Sequence, residues 1–170
     1  DTLYENLDMN FADLGDAAFI SCTGLFDDEN ETPDDYVELL SEARDLGLPL
    51  VCANPDVKAK RGNRIIYCGG ALAQLYEELG GDVIYAGKPH APIYRLSRAW
   101  LEEVTGYIPP PERILAIGDN IFTDLRGAQN EGLDCLFIAD GLYADTSEKL
   151  KALLTENGIT ARYMAGALTW

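Results

Sequence analysis

Short apolar runs alternate along this chain with segments whose apolar residues recur every three to four positions. The runs predict buried strands and the spaced segments predict amphipathic helices. Asp16–Gly24 (DAAFISCTG) is the first strand candidate. An acidic loop, Phe26–Pro33, leads from it to a helix with Thr32 as N-cap and Pro33 at the first helical position. Tyr36, Val37, Leu39, Leu40, Ala43 and Leu46 keep helical spacing up to Gly47, which is placed to close that helix. Leu48–Ala53 is a second strand. Arg61-Gly62-Asn63-Arg64 reads as a hairpin turn into Ile65-Ile66-Tyr67, and Gly69-Gly70 opens a helix through Leu79 that Gly80-Gly81 ends. Asp82–Tyr85 is a strand, Ile93–Val104 a long amphipathic helix, and Ile114–Ile117 a strand expected to be buried on both faces, ending at Gly118. A helix over Asp124–Glu131 closed by Gly132, a strand at Asp134–Ile138, a capped helix at Ser147–Asn157 and an extended segment at Ala161–Met164 complete the pattern. Asp1–Asp8 reads as the tail of a helix with Leu3, Tyr4 and Leu7 on one face. Strands alternating with helices at this spacing predict βαβ units in a mainly parallel sheet, an α/β fold.

Composition narrows the partners. The chain has 170 residues, 47% hydrophobic and 25% charged, as in ordinary globular proteins. No run approaches the roughly 18 to 20 apolar residues needed to span a bilayer, and no secretory leader pattern opens the chain. The net charge of -16 opposes nucleic acid and anionic membrane as partners, and it means that a phosphorylated ligand must be drawn in by local cations or a metal. Cys22, Cys52, Cys68 and Cys135 form no C-x-x-C pair, and three of them sit in apolar runs where cysteine acts as a small hydrophobe. With one histidine, a Cys/His zinc site is not expected, and a reducing, cytoplasmic location is the simpler expectation.

The candidate chemistry sits in loops that follow strands, where open α/β sheets bind ligands. Ile114–Leu125 (ILAIGDNIFTDL) places Asp119, Asn120, Thr123 and Asp124 just past an apolar run. A carboxylate pair there suits a hard divalent cation such as Mg²⁺. The competing structural reading makes Thr123 or Asp124 an N-cap and Asp119 a turn residue. Asn54-Pro55-Asp56 is a second such loop, an amide and a carboxylate on either side of a proline, against which stands an ordinary turn. Gly87-Lys88-Pro89-His90 is a third, in which Lys88 is placed to meet a phosphate or to balance carboxylates, or is simply a surface lysine.

In this order the three loops resemble the haloacid dehalogenase superfamily of phosphohydrolases, in particular the subclass with an α/β cap typified by NagD-like sugar and nucleotide phosphatases and pyridoxal phosphate phosphatase. The resemblance covers essentially the whole chain. AGKP is similar to the family's third motif, which implies that Lys88 steadies the nucleophile and the phosphate. GDNIFTD is similar to the fourth, which implies a Mg²⁺ ligand at Asp119 and a metal-orienting carboxylate at Asp124, with Asn120 beside them. ANPD resembles the cap loop that faces the active site, so Asn54 and Asp56 become substrate-side candidates. The implied fold is a partial Rossmann-like parallel core with an α/β cap, residues 1–84 being cap and 85–170 the second half of the core.

The family's first two motifs, an Asp-x-Asp strand end with the nucleophile and a Ser/Thr-bearing strand end, do not occur here. Asp27-Asp28 lies in the acidic loop and Asp34-Asp35 starts a helix. The expectation is therefore a C-terminal part of a longer phosphatase. It would lack activity by itself, have a missing N-terminal core segment as partner, act with that segment on a small phosphorylated metabolite, and present Ile114–Ile117 as an unpaired edge. The cap of this subclass often carries a dimer contact, which makes a homodimer one option. A non-catalytic α/β module that binds a phosphorylated ligand or a protein is the alternative.

Overall fold

A computed structural model of the chain describes residues 4–139 and 147–168. Three strands form a first parallel sheet: β1 (Ile20–Cys22), β2 (Leu50–Cys52) and, after the hairpin described below, Val83–Tyr85, with β2 in the middle. Between β1 and β2 the chain passes through a 3₁₀ turn, Pro33–Tyr36, into α1 (Val37–Asp45). The Asp35 carboxylate accepts hydrogen bonds from both the N–H and the hydroxyl of Thr32, so the expected cap is present, reinforced from the third helical residue. After β2, strands β3 (Lys58–Arg61) and β4 (Arg64–Tyr67) form a separate antiparallel hairpin, turned at Gly62 with φ +60°. Helix α2 (Gly69–Glu78) then leads to the third strand of the first sheet, β5 (Val83–Tyr85). Cys22, Tyr36, Leu40, Leu50, Cys52, Leu72 and Tyr76 pack α1 and α2 against one face of this sheet. Tyr76, fully buried, donates its hydroxyl to the Leu48 carbonyl at 2.5 Å, so its one polar atom is satisfied inside the core.

Helix α3 (Ala91–Thr105), closed by Gly106 with φ +78°, precedes the second parallel sheet. That sheet is β6 (Leu115–Gly118), β7 (Asp134–Ile138) and β8 (Tyr163–Ala165), joined through α4 (Arg126–Asn130) and α5 (Ser147–Glu156). Ile121, Leu125, Cys135, Phe137, Leu150 and Ile159 make its core. Helix α3 buries none of its own residues, and Leu96, Trp100 and Val104 form an exposed stripe along it. It is tied to the second sheet by Arg98, which reaches Glu131 at 3.2 Å, and by the Tyr94 hydroxyl, which lies where a side chain on Gly127 would be. Burial pushes the Tyr94 phenol up to about 12.

Three expectations change. The described part of Asp1–Asp8 is one turn and not a helix, closed by the Leu7 N–H on the Tyr4 carbonyl at 3.0 Å; residues 1–3 lie outside the described residues. Tyr4 instead packs edge-on against Phe11 and hydrogen-bonds Ser21 at 2.9 Å, contacts that a helical tail would not offer. The β6 strand is not buried on both faces: Leu115 and Ile117 are 49% and 52% exposed, because among the described residues only its other face packs on the core. The helix expected from Asp124 begins earlier, as a wide π-type turn over Ile121–Leu125 that runs into α4. The Ser147–Asn157 helix is present, but the cap expected at its start falls on residues outside those described.

Candidate active site

Strand β6 ends at Gly118, and the next residues fold back on themselves. Asn120 is the cap of the turn, accepting the Phe122 N–H on its side-chain oxygen at 2.9 Å. Neither Thr123 nor Asp124 caps it. Both are buried inside the turn and are free for other partners. Asp124 accepts the backbone N–H groups of Asp119 and Asn120 on one carboxylate oxygen, both at 3.0 Å. On the other oxygen it accepts Lys88 Nζ at 2.6 Å. Gly118 permits this closure, since a Cβ there would collide with the Asp124 carboxylate.

Lys88 lies between β5 and α3, joined to Pro89 by a cis peptide bond. Partial burial works against its charge, but the hydrogen bond and charge of Asp124, with Asp56 and Asp119 behind it, more than reverse this and raise its pKa. A raised lysine pKa contributes stability that is complete below the ordinary value of about 10.4 and lost as pH rises through the folded value. The Lys88–Asp124 pair is therefore expected to be unaffected by pH across the neutral range. Thermal melts of the protein and of Lys88→Gln should keep a constant difference from pH 6 to 9 and converge only at strongly alkaline pH.

The Asn54-Pro55-Asp56 loop is held by close backbone packing. A Cβ on Gly70 would run into the Pro55 carbonyl and one on Gly87 into the Pro55 ring, and the Gly70 N–H donates to the Asp56 carbonyl at 3.0 Å. So placed, the Asp56 carboxylate spans to the second sheet. A single oxygen accepts Asn120 Nδ2 at 2.8 Å and the Thr123 hydroxyl at 2.6 Å.

The structure thus brings Lys88, Asp124, Asn120 and Asp56 into one network. Asp119 contributes its backbone N–H, while its carboxylate is exposed and makes no hydrogen bond or ion pair among the described residues. Asn54 stands apart from this network; burial pushes the Cys68 thiol up, and the Asn54 amide partly offsets that shift. Thr123, to which the resemblance gives no site role, joins this network through Asp56. The available signal was its spacing from Asn120, three residues apart and so on one side of a helical turn. For a hard cation, an exposed, unpaired carboxylate beside Lys88 and Asp124 is an oxygen donor of the right kind, and it fits Mg²⁺ as one ligand. Among the described residues no cluster of three or more His, Cys, Asp or Glu is arranged to complete a metal site.

A family model described as HAD-hydrolase-like matches residues 85–162. A haloacid dehalogenase-like hydrolase from Brucella suis 1330 is similar at 40% identity and TM-score 0.83, over 98% of this chain and 61% of its own. The chain belongs to the haloacid dehalogenase-like hydrolases. The fold recurs at lower identity in a p-nitrophenyl phosphatase from Archaeoglobus fulgidus (19%, TM-score 0.65, covering 92% of this chain and 56% of that one). It recurs also in a possible sugar phosphatase from Cytophaga hutchinsonii (20%, TM-score 0.71, 94% and 55%). No curated protein matches the chain. This haloacid dehalogenase-like chain therefore spans about three fifths of the Brucella hydrolase and just over half of the other two. Among the described residues no helix is long and apolar enough to cross a membrane.

Proposed function

We propose that the protein containing this chain is a Mg²⁺-dependent phosphatase of the haloacid dehalogenase superfamily, of the NagD-like subclass, acting on a small phosphorylated metabolite. The observation that carries this reading is the Lys88–Asp124 pair, with Asp124 fixed by two backbone N–H groups at the end of β6. A carboxylate locked by three donors holds the ammonium of Lys88 in one place. A fixed positive charge at a strand end is what a transferring phosphoryl group needs, since it requires no reorganisation as negative charge develops. Asp119, unpaired beside it, would hold Mg²⁺, which neutralises phosphoryl oxygens when bound. Asp56, bonded to both Asn120 and Thr123, keeps the loop after β2 over this end of the second sheet and helps exclude water from it. Residues 1–84 are read as cap and 85–170 as core on the same grounds, and the attacking aspartate is assigned to a part of the protein outside these 170 residues.

The test is hydrolysis of aryl phosphate by the complete gene product. Turnover is expected to fall by about 10²-fold or more in excess chelator, to return with Mg²⁺, and to be lost to a similar degree in Asp119→Ala. Full activity in chelator would remove the metal role, and absence of any hydrolysis with Mg²⁺ would favour a binding module.

A further inference from the structure

Beside the Lys88–Asp124 network lies a cavity of about 530 Å³, a size typical of small-molecule sites. It shares Asn120 and Thr123 with the network, so it borders the place where phosphate is assigned. Its other walls include the hairpin (Lys58 and Ile65), the stretch around Lys88 (Tyr85 and His90) and Phe122, with the loop after β2 and Gln74 of α2 completing them. The Tyr85 and His90 rings stack with centroids 4.7 Å apart and planes within 7°, and the Tyr85 hydroxyl is anchored to Glu77 at 2.9 Å. A braced pair of parallel rings with Phe122 and Ile65 offers flat, apolar surface, which suits a ring far better than a flexible polyol.

The hairpin adds charge. Lys58, Lys60, Arg61 and Arg64 place four of the chain's 13 basic residues within seven positions, in a chain of net charge -16. Strand register divides them. Lys58 pairs with Tyr67 and Lys60 with Ile65, so these four share the face that carries Ile65 and Lys58 to the cavity. Arg61 and Arg64 fall on the opposite phase and are taken by Asp28 at 2.7 Å and Glu29 at 3.9 Å. Lys58 lies over the Tyr67 ring at 4.9 Å, and neither lysine forms an ion pair among the described residues. The acidic loop thus neutralises the arginines and leaves Lys58, which lines the cavity, and Lys60 on the same hairpin face uncompensated.

We propose that this cavity holds the alcohol half of the substrate, and that this half is a flat aromatic ring bearing its own anionic group. The proposal rests on the phosphatase reading for the ester bond, but the cavity can be tested without it. The probes are 4-hydroxybenzoate, phenol and glycerol, titrated against the protein and followed by NMR shifts of the His90 ring and the hairpin amides. 4-Hydroxybenzoate is expected to bind about tenfold tighter than phenol, as one contact to a charged group allows, and glycerol not to shift these signals. The double variant Lys58→Ala, Lys60→Ala should erase the preference while phenol binding stays unchanged, and His90→Ala should weaken both rings together. Raising the salt concentration should narrow the gap. Equal binding of phenol and 4-hydroxybenzoate, a preference that survives loss of both lysines, or shifts induced equally by glycerol would overturn the proposal. Because no phosphoryl group is transferred in this titration, a negative activity assay and a negative binding result are separate outcomes.

Discussion

Lys88→Ala in the complete protein is expected to lower kcat for phosphate ester hydrolysis by about 10²–10³-fold and to leave KM nearly unchanged, because a preorganised charge acts on the transition state. The cause is the position of its ammonium, fixed at 2.6 Å from a carboxylate that cannot move without breaking two further hydrogen bonds. Steady-state kinetics on an aryl phosphate check this. A change confined to KM would make Lys88 a residue that binds substrate and transition state equally. Arginine is not an equivalent here, because its planar fork does not match a single-point contact at the mouth of a turn.

Asp124→Ala is expected to abolish measurable activity and to lower stability as well. Removing the carboxylate leaves the Asp119 and Asn120 N–H groups without their acceptor in a buried turn, at about 1–3 kcal/mol for each donor that water does not reach. Lys88 adds little to this cost, since its ammonium is nearly half exposed and hydrates once its partner is gone. A total of about 2–4 kcal/mol corresponds to a fall of roughly 5–12 °C in melting temperature for a chain of this size. Calorimetry on Asp124→Ala and Asp124→Asn separates the two effects. Asparagine keeps an oxygen for the backbone donors and should recover much of the stability, with the activity still lost. Equal melting temperatures for alanine and wild type would show that the turn does not depend on this carboxylate.

Much of the fold is legible in the sequence. Apolar runs and their glycine stops located the strands and helices because both periodicities are local properties of the chain. The three strand-end loops stood out for the same reason, since an amide, a lysine and carboxylates placed just past apolar runs have no core to enter. What the pattern could not supply was neighbours. Ile114–Ile117 reads as doubly buried from its residues, yet Leu115 and Ile117 face outward, because burial depends on what packs on each face of β6 and not on β6 itself. Thr123 was hidden by a similar gap: its role comes from a carboxylate 67 positions away. The turn at Ile121–Leu125 is π-type, so a phase counted from ordinary helical spacing assigns the cap to the wrong residue and overlooks Asn120.

The hairpin of β3 and β4 belongs to neither parallel sheet. Its ladder is its own, its arginines are moored to the acidic loop, and its cavity-side face carries residues that take no part in the Lys88–Asp124–Asn120–Asp56 network. On the proposed reading, the charges that select the substrate therefore sit on a different piece of backbone from the Lys88–Asp124 pair. Exchanging Lys58, Lys60 or Ile65 for other side chains should redirect which molecules are accepted while the rate-determining machinery drifts hardly at all, so that closely related chains could diverge in diet without renewing their catalyst.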